Sequence, residues 1–410
     1  MGTALRKEPD EIAGRSWISW FVKNAARETT SGQFIPVLDG LRFIAITSVI
    51  LYHVVSFVTR KSGSDGITDP LALFLSRGDI GVQLFFVISG FIIALPFAKG
   101  NFGYGKRPKL SQYYLRRLTR LEPPYILCLL LFFPFVLFTY HVKPSDLLPH
   151  LIASLTYLHN FIYGKMSTIN SVAWSLEVEL QFYLLAPFIA LLFRIQARHA
   201  RRMLLVILIA IFSYMSHVVN GSPRLYLSIV SMAQYFLAGF LLVDVYICDW
   251  KENPGKSHAC DWLSVAAWIA IYAFHSNGEV GDIFVVVPIF VAYCCAFRGT
   301  WNHYLLCRPA IYVVGGMCYT LYLYHSLVIF TVGRLIEKTG VLSLASPWMR
   351  IVSTSIIAIP LVLLSGTFLF ILIEKPCMKK NWHLVAFDRM RLAVSYLYAA
   401  IPTIKNVRSK

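Results

Sequence analysis

Ten mostly apolar runs, each close to the length of a membrane-crossing helix, recur along this chain and leave little room for any other fold. A hydrocarbon layer about 30 Å thick takes roughly 20 apolar residues at a rise of about 1.5 Å each. The runs fall near 37–59, 80–98, 121–140, 173–193, 203–219, 225–247, 262–276, 281–297, 311–333 and 349–373. Backbone amides in lipid have no water to bond, so such runs must close their hydrogen bonds internally as helices. The expected fold is all-α, a polytopic membrane helical bundle of about ten transmembrane helices.

Charge orients that bundle. Residues 99–120 hold seven basic residues and no acid, 194–202 hold four arginines, and 375–410 hold eight basic residues against Asp388. The alternate loops are poorer: 276–282 has only Glu279 and Asp282, and 220–224 only Arg224. Short basic loops stay cytoplasmic, so both termini are expected on that side. The net charge of +17 is then explained by topology, and no nucleic-acid partner is expected. None of the eight cysteines falls in a segment placed outside and no CxxC occurs, which argues against disulfides and structural zinc. Residues 1–33 are polar and charged, so no cleavable signal peptide is expected. The organisation expected is a cytoplasmic segment over 1–34, a membrane domain over 35–376 and a basic cytoplasmic tail over 377–410. Within the first segment, 12–27 sets Trp17, Trp20 and Phe21 beside basic residues, which suits a helix lying in the membrane interface or an unstructured tail.

Arg42 and His53 stand out in the first run. Eleven steps at about 100° return a helix to within roughly 20° of the same face, about 16 Å further along. Ionisable groups in a bilayer are costly and mark function by default, although a lone intramembrane histidine can also simply bond a neighbouring helix. Glu179 in the fourth run and His325 in the ninth come out at a similar depth, roughly 10–14 Å below the outer surface. Two imidazoles and a carboxylate at one level would form an acid/base cluster if their helices converge. Glu177 and Glu179 lie about 200° apart around a helix, so only one of them can face the bundle.

The stretch Tyr113–Tyr125 reads YYLRRLTRLEPPY and carries Arg116, Arg117 and Arg120. Three apart on a helix, Arg117 and Arg120 make a fork suited to phosphate oxygens; the plainer alternative is a topological anchor. A ligand with phosphates at the cytoplasmic face and a reactive group some 15–20 Å away matches the layout, and acyl-coenzyme A is such a ligand. No metal ligand set, Walker motif or dinucleotide fingerprint appears. The outer loop 141–172, with His159, Asn160 and Tyr163, offers amide and aromatic groups to a sugar.

These blocks resemble the acyltransferase-3 family of bacterial integral-membrane O-acyltransferases, from about 35 to 380. LDGLRFIAITSVILYH (38–53) looks like its opening motif, GDIGVQLFFVISGFII (78–93) like its second-span signature and YYLRRLTRLEPPY (113–125) like its arginine motif. WSLEVELQFYLLAP (174–187), YTLYLYHS (319–326) and FLFILIEKP (368–376) resemble three later blocks. The resemblance implies transfer from cytoplasmic acyl-CoA, with acetyl the expected group, to a hydroxyl of a glycan or lipid-linked saccharide at the bacterial inner membrane. It implies His53 as base or acyl carrier, Arg42 as its partner, Glu179 as the acid of the tryptophan-led block, and Arg116, Arg117, Arg120 and Arg42 as donor contacts. Asn160, Trp174, Tyr322 and His325 are the residues expected on the acceptor side, while Glu374 matches a motif position without an assigned role. One departure is Gln83, where many members carry an acid; Asp79 is the nearest substitute. The chain is expected to be the stand-alone type, without a fused SGNH-hydrolase-like domain. The competing readings are acylation of a small secreted metabolite such as a macrolide, and a transporter or flippase using the buried His and Glu as proton relays.

Overall fold

The computed structural model describes residues 24–27, 34–62, 70–276, 278–340, 346–379 and 382. Most of the expected interfacial helix over 12–27 and most of the basic tail lie outside the described residues. Among the described residues every regular element is helical. The elements that matter for the site are α1 (Pro36–Ser62), α2 (Gly81–Asn101), α3 (Leu110–Tyr140), α4 (Pro144–Leu155), α5 (His159–Tyr163), α6 (Trp174–Ile189), α7 (Arg198–Val218), α8 (Ile229–Cys248), α9 (His258–Ser276), α10 (Val286–Arg298), α11 (Pro309–Gly316), α12 (Cys318–Thr339) and α13 (Pro347–Leu369).

Among the described residues eight helices are long and apolar enough to cross a membrane, and α11 with α12 adds a ninth as one span bent by 74°. The seventh run expected from sequence is α9, whose 19 residues are long enough, but His258, Asp261 and His275 near its ends keep it out of that set. The bend between α11 and α12 follows Gly315 and Gly316, a pair at which helices kink. A Cβ on Gly315 would collide with the Asp39 carbonyl of α1, so the glycine is what lets the two backbones meet.

Burial sorts the helices into a centre and a rim. In the most apolar stretch of the span containing α8, 78% of residues are buried, against 17% for α7. A helix apolar all round and buried all round belongs at the centre. On α7 and α13 the outward Met203, Ile211, Leu364 and Phe368 are exposed, which suits lipid as the surrounding solvent. The centre is an α2–α8 crossing built on Gly90 and Gly239. A Cβ on Gly90 would strike the Phe236 carbonyl, and one on Gly239 the Val87 carbonyl, so small residues allow backbone-to-backbone packing.

One end of the bundle is basic, and ion pairs neutralise part of it. Arg201 and Arg202 at the start of α7 both bind Asp244 of α8, which is fully buried. At the opposite, far end, the segment between α3 and α6 folds back into the protein. His159, Asn160 and Asn170 are all buried, and Glu177 of α6 accepts the Asn160 backbone N–H at 2.8 Å.

Candidate functional site

The register of α1 brings Arg42 to the basic end and His53 towards the far end, on one stripe. Packing then adds what periodicity could not: His325 of α12 faces His53, with its Nε2 3.3 Å from His53 Nδ1 and the rings edge-on at 4.7 Å between centroids. The hydrogen bonds decide the tautomers. His325 Nδ1 lies 2.8 Å from the Tyr322 carbonyl and 3.1 Å from that of Leu321, so it carries a proton and leaves the lone pair on Nε2. His53 Nδ1 lies 2.9 Å from the Val49 carbonyl, so it too carries a proton, which it can share with His325 Nε2. The lone pair of a neutral His53 is therefore on Nε2, the nitrogen able to take a proton from a substrate.

At the basic end Arg42 pairs with buried Asp39 three residues earlier, and Arg27 approaches the same carboxylate at 3.5 Å. Burial, with Arg42 next, pulls the Arg27 pKa down to about 9, which still leaves it charged at neutral pH. Arg117 and Arg120 of α3 point to the same side as Arg42 and line one cavity with it. Arg120 reaches Glu374 at 3.6 Å, and Glu374 also accepts from the backbone N–H and the hydroxyl of Thr320 at the start of α12. Arg117 lies over the rings of Tyr113 and Tyr183 and has no carboxylate partner among the described residues. Arg116, one step of about 100° away on the helix, is on the exposed flank and does not line the cavity.

Glu179 belongs to this basic cavity. Its carboxylate accepts from Ser89 Oγ at 2.6 Å and from the Tyr183 hydroxyl. The level expected for it, beside the histidines, is corrected by α2. His53 shares its cavity with Gln83, which does not line the basic one, whereas Ser89 stands about 9 Å further along that helix. The cause is the inward fold of residues 141–172: α6 begins at Trp174 inside the protein, at the histidine level, rather than at the outer surface.

The far cavity, about 530 Å³, holds His53 together with Asp79, Gln83, Trp174 and Tyr322. Asn160 does not line it. Its side-chain amide donates to the Trp174 and Leu227 carbonyls and fastens the loop. The loop's contribution to the cavity comes instead from 166–172. Asp79 is held by His275, whose other ring nitrogen meets Asp282, at 2.9 and 3.0 Å. Sequence reasoning missed His275, as it did Asp39 and Ser89. A histidine closing an otherwise apolar run was the one available signal.

The same five helices, α1, α2, α3, α6 and α12, wall both cavities, each giving one segment to the basic side and another to the far side. The narrower basic cavity, about 100 Å³, also shares Arg117, Glu179, Tyr183 and Tyr319 with an apolar cleft between α3 and α6. Arginines thus line one cavity and an imidazole the other, towards opposite ends of the same helices.

Comparison with known proteins bears on this pair of cavities. A family model described as an acyltransferase domain matches residues 35–373. O-acetyltransferase OatA of Staphylococcus aureus strain NCTC 8325 is 25% identical over 389 residues, covering 87% of this chain and 59% of its own. A second protein, from Staphylococcus aureus strain COL and provisionally named an O-acetyltransferase, is 26% identical over 324 residues, covering 72% of this chain and 51% of its own. The chain thus spans between half and three-fifths of the length of these curated relatives. No solved structure matches it.

Proposed function

This chain belongs to the acyltransferase family matched over residues 35–373, and from that premise we propose that it is an O-acetyltransferase that moves acetyl from cytoplasmic acetyl-CoA to a hydroxyl of a glycan or lipid-linked saccharide. The observation that carries the reading is the pair of cavities, one lined by Arg42, Arg117 and Arg120 and the other by His53, within one set of helices.

The donor's phosphates rest on Arg117 and Arg120, with Arg42 and Arg27 behind them. Arginine suits this task because its planar fork binds phosphate oxygens and stays charged when partly buried. The basic end faces the cytoplasm of the bacterial inner membrane, so both termini lie there. The pantetheine arm runs inward past Glu179 and Ser89 and brings the thioester to the level of His53. The acceptor occupies the far cavity beside Trp174 and Tyr322. His53 Nε2 removes the proton of the attacking hydroxyl, while His325 and the Val49 carbonyl hold the Nδ1–H of the imidazolium that forms. His325 is then a positioning residue, acting as the third group of a triad acts on its imidazole.

The test begins with the donor, because it needs no knowledge of the acceptor. Acetyl-CoA should raise the melting temperature of the detergent-purified protein, and the Arg117→Ala/Arg120→Ala variant should lose that shift. Membranes given acetyl-labelled CoA should then show base-labile labelled ester that a His53→Gln variant lacks. A folded wild type unmoved by acetyl-CoA, succinyl-CoA and free CoA would refute the reading.

A further inference from the structure

The two cavities share only Val82 of α2 and Tyr322 of α12 among their described lining residues. Both are nearly closed off, at 8% and 6% exposure. Tyr322 is no loose flap. Its hydroxyl lies 2.7 Å from Ser175 Oγ and donates to the Val172 carbonyl at 3.0 Å. Phe85 meets its ring edge-on, 6.0 Å between centroids. Next to Val82 the α2 backbone comes close to α1, since a Cβ on Gly81 would strike the Ala45 carbonyl. A group passing from one lining to the other goes by Val82 and Tyr322, or breaks the two buried hydrogen bonds of the tyrosine.

We infer that Val82 and Tyr322 form the aperture that selects the acyl group, admitting acetyl and refusing longer or branched acyl chains. The inference rests on the acyl-transfer reading, in which the donor enters from the basic cavity and the acceptor waits with His53 in the far one. In the reaction the acceptor O–H gives its proton to His53 and its oxygen bonds the thioester carbonyl carbon. The C–S bond then breaks, and the thiolate takes the proton back from His53, leaving ester and CoA thiol. The carbonyl and its substituent are the parts that must reach the aperture, whereas the bulky nucleotide stays at the arginines. Each added methylene has to be placed against Val82 and Tyr322 or must displace the tyrosine from Ser175 and Val172.

Donor competition tests this on membranes containing the full chain and its endogenous acceptor. Acetyl-, propionyl- and butyryl-CoA with distinct isotopic labels are supplied in equal amounts, and base-released acyl groups are counted by mass spectrometry. One misfitting methylene is worth on the order of tenfold or more in discrimination, so wild type should favour acetyl over butyryl by at least about that factor. Val82→Ala should raise the butyryl-to-acetyl ratio roughly tenfold, and Tyr322→Phe, which releases the ring from its two partners, should raise it by less. Because the readout is a ratio within one sample, reduced expression cancels. An unchanged ratio in both variants, with acetyl transfer still measurable, overturns the inference and leaves acyl transfer standing. Absence of transfer from every donor by wild type would instead sink the acyltransferase reading, and this inference with it.

Discussion

His325 Nε2 faces His53 Nδ1 at 3.3 Å, so these two histidines, one on α1 and one on α12, share a single N–H position between their rings. Both Nδ1 atoms are turned to backbone carbonyls of their own helices, Val49 for His53 and Tyr322 for His325. The pair therefore holds one imidazole in one tautomer while the other nitrogen of His53 does the work proposed for it.

From this follows an ordering of variants. His53→Gln should reduce transfer to background, since a positioned base contributes about 10²–10⁴-fold. His325→Gln should lower kcat by less than the loss of His53 does, since it removes the group that orients the base and not the base itself. Acetyl-CoA affinity should be unchanged in both, and equal losses in affinity and rate would show that His325 shapes the donor site instead.

Glu177 and Glu179 should separate stability from donor binding. Glu177 is buried and holds the Asn160 N–H, so Glu177→Ala leaves that donor unsatisfied at a cost of about 1–3 kcal/mol. Its melting temperature should fall while the shift induced by acetyl-CoA persists. Glu179→Ala should weaken the acetyl-CoA response, because Ser89 and Tyr183 lose their acceptor inside the donor cavity.

Gly239→Ala tests the central crossing. The new methyl would meet the Val87 carbonyl and the Phe91 amide of α2, and overpacking of this kind costs about 1–3 kcal/mol. Thermal unfolding in detergent should show the loss, whereas Gly221→Ala, in open space, should not.

The far-end loop should loosen in acid. His150 Nδ1 and His159 Nε2 lie 2.9 Å apart, and His159 Nδ1 bonds the Lys165 carbonyl at 3.1 Å, so His159 Nε2 must accept and stay unprotonated. Burial holds both pKa values below the usual imidazole value; for His150 the Lys165 charge adds to this, and for His159 both His150 and Lys165 do, against its bond to the Lys165 carbonyl. Below about pH 6.5 the unfolded chain then binds more protons than the folded one, so the stabilisation is complete above that pH and is lost as pH falls. The protection of amides in residues 144–170, with the intrinsic slowing of exchange in acid divided out, should fall between about pH 7.5 and pH 5.5, and protection that ignores pH would contradict the assignment.

The helical bundle and the Arg42–His53 stripe were legible in the sequence because both are local properties. Apolar run length dictates a span in lipid, and the helical repeat alone puts residues eleven apart on one face. The arginine fork of α3 was legible for the same reason. The partner of each group was not. Periodicity gives the angle of a side chain around its helix but says nothing of the helix's height against its neighbours. That height depends on how the loop 141–172 packs beneath the far end, and it moved Glu179 from the level of the histidines to the side of Ser89. Tertiary packing likewise joined His325 to His53, brought Asp79 to His275 and turned Asn160 into a fastener. It also brought Val82 and Tyr322 into the lining of both cavities, because contacts between helices far apart in sequence are decided by side-chain volume and backbone approach, which no single run of residues contains.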